Sequence, residues 1–169
     1  MRNVVLTGFM GCGKSTVGQM LAERLGCRYA DLDALIVSRE GASINNIFAR
    51  HGESYFRQAE TETIRGIVAL NGLVVSTGGG AVISPLNREL LHAAGVVINL
   101  TADITTITAR LESDTDRPLL REGRSAERLA ALLAEREAMY ADADLRIDTT
   151  GKSVEDVVAE VISFLEAKG

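Results

Sequence analysis

The stretch from Val4 to Thr16, VVLTGFMGCGKST, constrains this chain more than any other. Val4, Val5 and Leu6 form a short apolar run suited to a buried strand, and Val17, Met20, Leu21 and Leu25 recur afterwards at helical spacing. Between them, Gly8 to Ser15 reads G-x-x-x-x-G-K-S, the phosphate-loop pattern in the strand–loop–helix context it requires. A triphosphate concentrates negative charge in a small volume. Gly8, Gly11 and Gly13 let the backbone curl with its N–H groups inward, where side chains would block close approach. The helix that follows adds the positive end of its dipole. Lys14 is placed to reach the outer phosphates, and the Ser15 hydroxyl to sit on a magnesium ion shared with the nucleotide. The plainer alternative is a glycine-rich turn ahead of a helix.

Strand-like runs alternate with helical patterns along the rest of the chain. Strands are expected over 3–6, 28–30, 73–76, 96–100 and 145–147. Helices are expected over 14–25, 32–39, 44–49, 54–70, 85–94, 104–111, 126–140 and 154–167. The alternation reads as α/β with a largely parallel sheet in one domain spanning 1–169. Ser84-Pro85 marks a helix start, and Ser153-x-x-Asp156 resembles a capping box. Two segments look less like scaffold. Residues 34–69 form a long, mostly helical insertion, and residues 113–124 are polar, contain Pro118 and Gly123, and lack periodicity, as a lid or functional loop would.

A formal net charge of −5 argues against a general nucleic-acid binder, whose phosphate partner would favour a basic surface. No apolar run approaches the roughly 20 residues that span a bilayer. A strand is expected as early as Val4, so a secretory leader is not expected, and a cytoplasmic location without membrane contact is. Cys12 and Cys27 fit neither a disulfide framework nor a zinc site. Cys12, inside the loop, is either a small side chain that fits there or an oxidation-sensitive thiol.

Asp31 and Asp33 follow the second expected strand, and strand ends in open α/β sheets face the ligand crevice. Phosphoryl transfer calls for one carboxylate near magnesium and one to orient or deprotonate the attacking hydroxyl, so Asp31 suits the metal and Asp33 the acceptor. A solvated turn or a helix N-cap explains the pair equally well. Neither the run 73–75 nor 96–100 ends in a carboxylate of the usual second metal-binding motif, which leaves Asp31 as the metal candidate. Gly78-Gly79-Gly80 at a strand end allows close backbone approach to a ligand, or is simply a turn. Arg57 and Glu60, three apart, share a helical face with Ile64, Ile67 and Val68. Either the pair is structural, or Glu60 fixes Arg57 to grip a substrate carboxylate. Arg136 lies in register with Leu129, Leu132, Leu133 and Tyr140 and poses the same choice, with stems packed and heads in water as its plain form. Within 113–124, Arg117 beside Pro118 is the candidate for closing over the transferring phosphoryl group.

Taken together these stretches resemble the shikimate kinase family. GFMGCGKST, the DLD of Asp31 to Asp33, FRQAE from Phe56 to Glu60, STGGG from Ser76 to Gly80 and DRPLL from Asp116 to Leu120 occur in that family's order and spacing, over nearly the whole chain. The resemblance implies a P-loop, nucleoside-monophosphate-kinase-like fold: a five-stranded parallel sheet of order 2-3-1-4-5 flanked by helices. It implies transfer of the ATP γ-phosphoryl group to the 3-hydroxyl of shikimate, on the route to chorismate and the aromatic amino acids, by an enzyme expected to be a monomer. Gly11, Cys12, Gly13, Lys14, Ser15, Thr16, Arg110 and Arg117 then match ATP-binding positions, with Mg²⁺ on Ser15 and Asp31. Asp33, Arg57, Glu60, Gly78, Gly79, Gly80 and Arg136 match the shikimate pocket, and Lys14, Asp33 and Arg117 the catalytic groups. Arg110 and the loop 148–153 would flank adenine. Rivals are a kinase of another small metabolite such as gluconate, a nucleoside-monophosphate kinase, and a catalytically silent binding module of the same fold.

Overall fold

A computed structural model of the protein describes residues 1–113 and 126–169. Arg117, together with all of the expected lid except Ser113, lies outside the described residues. Among the described residues, β1 (Asn3–Thr7), β2 (Arg28–Asp31), β3 (Leu73–Ser76), β4 (Gly95–Thr101) and β5 (Leu145–Asp148) form one parallel sheet in the order β2-β3-β1-β4-β5. The expected order and parallel pairing are those observed. β1 and β3 are buried at every residue, and β4 at all but Thr101, which is why they read as unbroken apolar runs rather than alternating ones. β2 and β5 are edge strands and partly exposed, so their sequence signal is weaker.

Parallel strands require crossovers, and helices supply them. α1 (Lys14–Leu25) joins β1 to β2; α2 (Leu32–Glu40) and α3 (Ile44–Val68) form the insertion before β3. A short 3-10 turn (Ala81–Ile83) and α4 (Pro85–Ala94) lead to β4; α5 (Ile104–Glu112) and α6 (Ala126–Tyr140) lie between β4 and β5; α7 (Val154–Lys168) closes the chain. α3 is interrupted at Gly52, where φ is 82° and ψ 176°, so the two helices expected over 44–49 and 54–70 are one span broken at a left-handed-side glycine. No described helix is long and apolar enough to cross a membrane.

Two packing details depart from the sequence stripes. α1 buries Val17, Gly18, Leu21 and Ala22, whereas Met20 and Leu25 are only partly buried. The small residues let α1 sit close on the sheet: a Cβ on Gly18 would meet the Tyr29 ring at 2.6 Å and Ser76 Oγ at 2.8 Å. The Ser76 hydroxyl in turn donates to Lys14 O at 3.0 Å, tying β3 to the first residue of α1. In α7 the deeply buried face is Val157, Val158 and Val161, with Val154, Ile162 and Leu165 at its margin.

Helix starts show how the glycine loop differs from the rest. Asp31, Ser43, Ser84, Asp103 and Ser153 each cap a helix by accepting a backbone N–H with the side chain. The two starts expected at Ser84 and Ser153 are among them. α1 has Gly13 at this position, in the left-handed region, with no side-chain cap and no acidic residue in its first turn. An anion at the loop would meet the positive end of α1 with no side-chain cap competing for it.

Candidate active site

The glycine loop runs from the end of β1 into α1. Gly8, Gly11 and Gly13 all have positive φ, at 147°, 78° and 85°. Gly8 lies hard against the Leu100 carbonyl of β4, leaving no room for a side chain. Lys14 Nζ donates to the carbonyls of Gly8 (2.6 Å) and Phe9 (3.0 Å), which holds the ammonium over the loop. Ser15 and Thr16 are exposed in the first turn of α1. Arg110 Nη1, from α5, donates to Gly11 O at 2.9 Å and approaches Thr149 Oγ1 at 3.3 Å. It thus joins the loop to the segment after β5, where the resemblance puts the adenine. Cys12 is 1 % exposed, and burial pushes its thiol up despite Lys14 and Arg110 nearby. That favours the small, inert side chain over a reactive thiolate.

Asp31 and Asp33 separate cleanly in role. Asp31 ends β2, in register with Ser76, and its Oδ1 accepts the Ala34 N–H at 3.0 Å as the cap of α2. Asp33 is one residue into α2 and turns toward the glycine run: a Cβ on Gly78 would stand 2.9 Å from Asp33 Oδ1. The two carboxylates diverge because the chain changes from strand to helix between them, rather than by alternation along an extended segment.

The same glycine run meets both arginines. A Cβ on Gly80 would fall 2.5 Å from Arg57 Nη2, and one on Gly79 would lie 3.8 Å from Arg136 Nη1 and 3.5 Å from the Met10 amide. Gly78 to Gly80 therefore sits between Asp33, Arg57, Arg136 and the glycine loop, and a side chain at Gly78 or Gly80 would occupy the space that Asp33 or Arg57 uses. Arg57 Nη1 donates to Glu60 Oε1 at 3.0 Å, while its Nε lies 3.6 Å from Glu53 and its guanidinium 5.3 Å from the Phe56 ring centroid. Glu60 is fully buried, and its Oε2 has no hydrogen-bond donor among the described residues. Burial pushes its carboxyl up, opposed chiefly by Arg57; Asp33 pushes the same way as burial, and Arg136 against it. One buried carboxylate thus senses all three of the other charged groups.

Three supporting residues were not evident as site residues in the sequence. Tyr140 is 2 % exposed, and its hydroxyl donates to Gly79 O at 2.6 Å. Asn87 accepts from the Thr61 hydroxyl at 2.7 Å and donates to Ala81 O at 3.0 Å, fixing the turn that follows the glycines to α3. Asn99, fully buried in β4, donates to Thr7 Oγ1 at 3.3 Å and accepts from Arg146 Nε at 3.1 Å, bracing the strand that enters the glycine loop. The Arg136–Tyr140 spacing of one helical turn was a usable signal for Tyr140; nothing in the sequence distinguishes Asn87 or Asn99.

The donor set suits magnesium. A hydroxyl and a carboxylate are hard oxygen ligands, and β3 stands between the segments that carry them: Ser76 lies in register with Asp31, and its hydroxyl donates to the backbone O of Lys14, the residue before Ser15. Among the described residues no three His, Cys, Asp or Glu side chains cluster as a cage. Magnesium does not require one, since it keeps waters and takes the remaining ligands from phosphates.

The family model described as shikimate kinase matches residues 10–166. A curated shikimate kinase of Geobacter metallireducens is 66 % identical over 168 residues, covering 99 % of this chain and 94 % of the relative. One of Geobacter sulfurreducens is 63 % identical over 164 residues, covering 97 % and 91 %. Among solved structures, shikimate kinase from Acinetobacter baumannii in complex with shikimate superposes with a TM-score of 0.93 at 34 % identity, covering 99 % of this chain and 94 % of that one.

Proposed function

The chain belongs to the shikimate kinase family, and on that premise we propose that it transfers the γ-phosphoryl group of ATP to the 3-hydroxyl of shikimate, giving shikimate 3-phosphate. The observation that carries the reading is the meeting of the glycine loop with Asp33, Arg57, Arg136 and the Gly78–Gly80 backbone. A small acceptor bearing both hydroxyls and a carboxylate is what such a set recognises.

Arg57 and Arg136 take the acceptor carboxylate, where a planar fork gives two aligned hydrogen bonds. Glu60 holds Arg57 in place. Asp33 orients the attacking hydroxyl and accepts its proton as the bond to phosphorus forms. The loop amides, the positive end of α1 and Lys14 hold the β- and γ-phosphates, and Gly79 against Met10 brings the acceptor to them. Ser15 and Asp31 would hold Mg²⁺, which when bound would supply charge neutralisation at the phosphates. Arg117 supplies a further positive charge to the transferring group; that role rests on the DRPLL motif. Arg110 flanks the adenine. The reading is completed by a cytoplasmic monomer acting without nucleic acid or membrane, and the net charge of −5 supports the absence of a nucleic-acid partner.

The test is ADP release from Mg-ATP with shikimate, gluconate, a nucleoside monophosphate or no acceptor. Release with shikimate alone is expected. Release with gluconate or a nucleotide instead would overturn the acceptor assignment while keeping the nucleotide loop. Silence in every tube with ATP still bound would make the protein a non-catalytic binding module.

A further inference from the structure

Tyr140 ends α6 with its ring in the core and its hydroxyl at the glycine run, where it donates to Gly79 O at 2.6 Å. The Arg136 guanidinium, one helical turn earlier, lies beside the same hydroxyl. The peptide joining Gly79 to Gly80 is planar and trans, so its C=O and N–H point in opposite directions. Fixing the Gly79 oxygen therefore fixes the direction of the Gly80 N–H. The bonds of the following turn, Ala81 N to Gly78 O and Ile83 N to Gly80 O, use other amides. Arg57 packs against Gly80, so the orientation of this one peptide also bears on where that guanidinium rests. Three successive glycines have no side chains of their own to hold them, and a peptide there needs an external support.

We propose that Tyr140 is a positioning residue for the acceptor: its hydroxyl holds the Gly79–Gly80 peptide in one orientation, so that the Gly80 N–H and the Arg57 guanidinium packed against Gly80 are fixed for the acceptor together. The inference rests on the shikimate kinase reading. Burial pushes the phenol up to about 12, against Arg136 beside it, so the hydroxyl keeps its proton and remains a donor at neutral pH. The ring and the hydroxyl have separable duties, because the ring fills core volume that phenylalanine fills equally well.

The experiment is steady-state kinetics of Tyr140→Phe beside wild type, with each substrate varied in turn. Wild type must first phosphorylate shikimate; its silence would overturn the functional reading and this inference with it. Given wild-type turnover, the variant is expected to raise the shikimate KM about tenfold, the effect of losing one buried hydrogen bond's worth of positioning, with the ATP KM within about twofold. An unchanged shikimate KM, or equal losses for both substrates, would reduce Tyr140 to a core strut and overturn the proposal. Should Tyr140→Phe not fold, 3-fluorotyrosine at position 140 replaces it. Its more acidic phenol loses the donor proton at lower pH, so the shikimate KM is expected to climb on the alkaline side earlier than in wild type, with the ATP KM flat. Superimposable pH profiles would overturn the proposal.

Discussion

Gly80→Ala is the perturbation that separates the acceptor pocket from the fold. Gly80 has φ −95° and ψ 1°, which alanine adopts without strain, and the substitution by itself would stabilise the chain by about 0.4–1 kcal/mol through the unfolded state. The new methyl, however, would stand 2.5–2.8 Å from Nη2, Nη1 and Cζ of Arg57. What must give is the far end of a flexible side chain, not backbone, so the guanidinium moves and the sheet does not. Displacement weakens its 3.0 Å bond to the buried Glu60, and a hydrogen bond to a charged group contributes about 1.5–3 kcal/mol. Arg57 is 31 % exposed in its side chain, so solvent screens part of that loss, and the net change in stability is expected between about 0 and −2 kcal/mol. For the acceptor, the same displacement removes a charge-assisted contact of similar size with nothing in return. The shikimate KM is therefore expected to rise about 10- to 150-fold while the ATP KM stays within about twofold. ADP release with shikimate varied at saturating Mg-ATP, alongside thermal unfolding, measures both. A shikimate KM within twofold of wild type would refute the assignment of Arg57 and Gly80 to the acceptor. Arg57→Ala is a poorer probe, because it would strand Glu60 as an unpaired buried carboxylate.

Lys14→Ala should lower turnover by at least about 100-fold with α1 still anchored by Val17 and Leu21, and Arg117→Ala should do the same; unchanged turnover in either refutes its role. Asp33→Asn should cost about 100- to 10,000-fold in turnover if the carboxylate takes the proton, whereas near-normal turnover would leave it a binding group only. Glu60 gives a pH test. Its carboxyl is held above the ordinary 4.5, so between that value and its native one the folded protein retains a proton that the unfolded chain releases. Stability from this group therefore falls as pH rises through the window, and Glu60→Gln should gain Tm relative to wild type as pH rises from 4.5 toward neutrality. A Tm difference independent of pH would contradict the burial argument.

The sequence displayed the scaffold where local pattern and tertiary position agree. β1, β3 and β4 are central strands, and their apolar runs are buried there; α1 follows a loop whose Gly8, Gly11 and Gly13 all take positive φ, as the pattern expects. The Arg57–Glu60 pairing and the inward placement of Arg136 were legible because helical spacing alone puts charges on an apolar face, and a charge there needs a partner. Other features were out of reach because they depend on contacts between distant segments. Asp31 serves as a helix cap, which its pattern allowed but did not select over metal binding. Gly18 is a glycine because Tyr29 and Ser76 leave no room for a Cβ there, and both lie on other elements. Asn99 sits inside an apolar run and is polar for the sake of Thr7 and Arg146, which lie 92 and 47 positions away in sequence. Tyr140 read as core, correctly for its ring; only the fold shows that its hydroxyl lands on Gly79, 61 positions earlier.

The central claim is tested most directly by identifying the product. Phosphorus–proton correlation NMR of the reaction with Mg-ATP and shikimate should show one new phosphate ester whose phosphorus couples to the proton on carbon 3. An ester at the 4- or 5-hydroxyl would mean that Asp33, Arg57 and Arg136 hold the ring in another orientation. ADP formed without any shikimate ester would contradict the account.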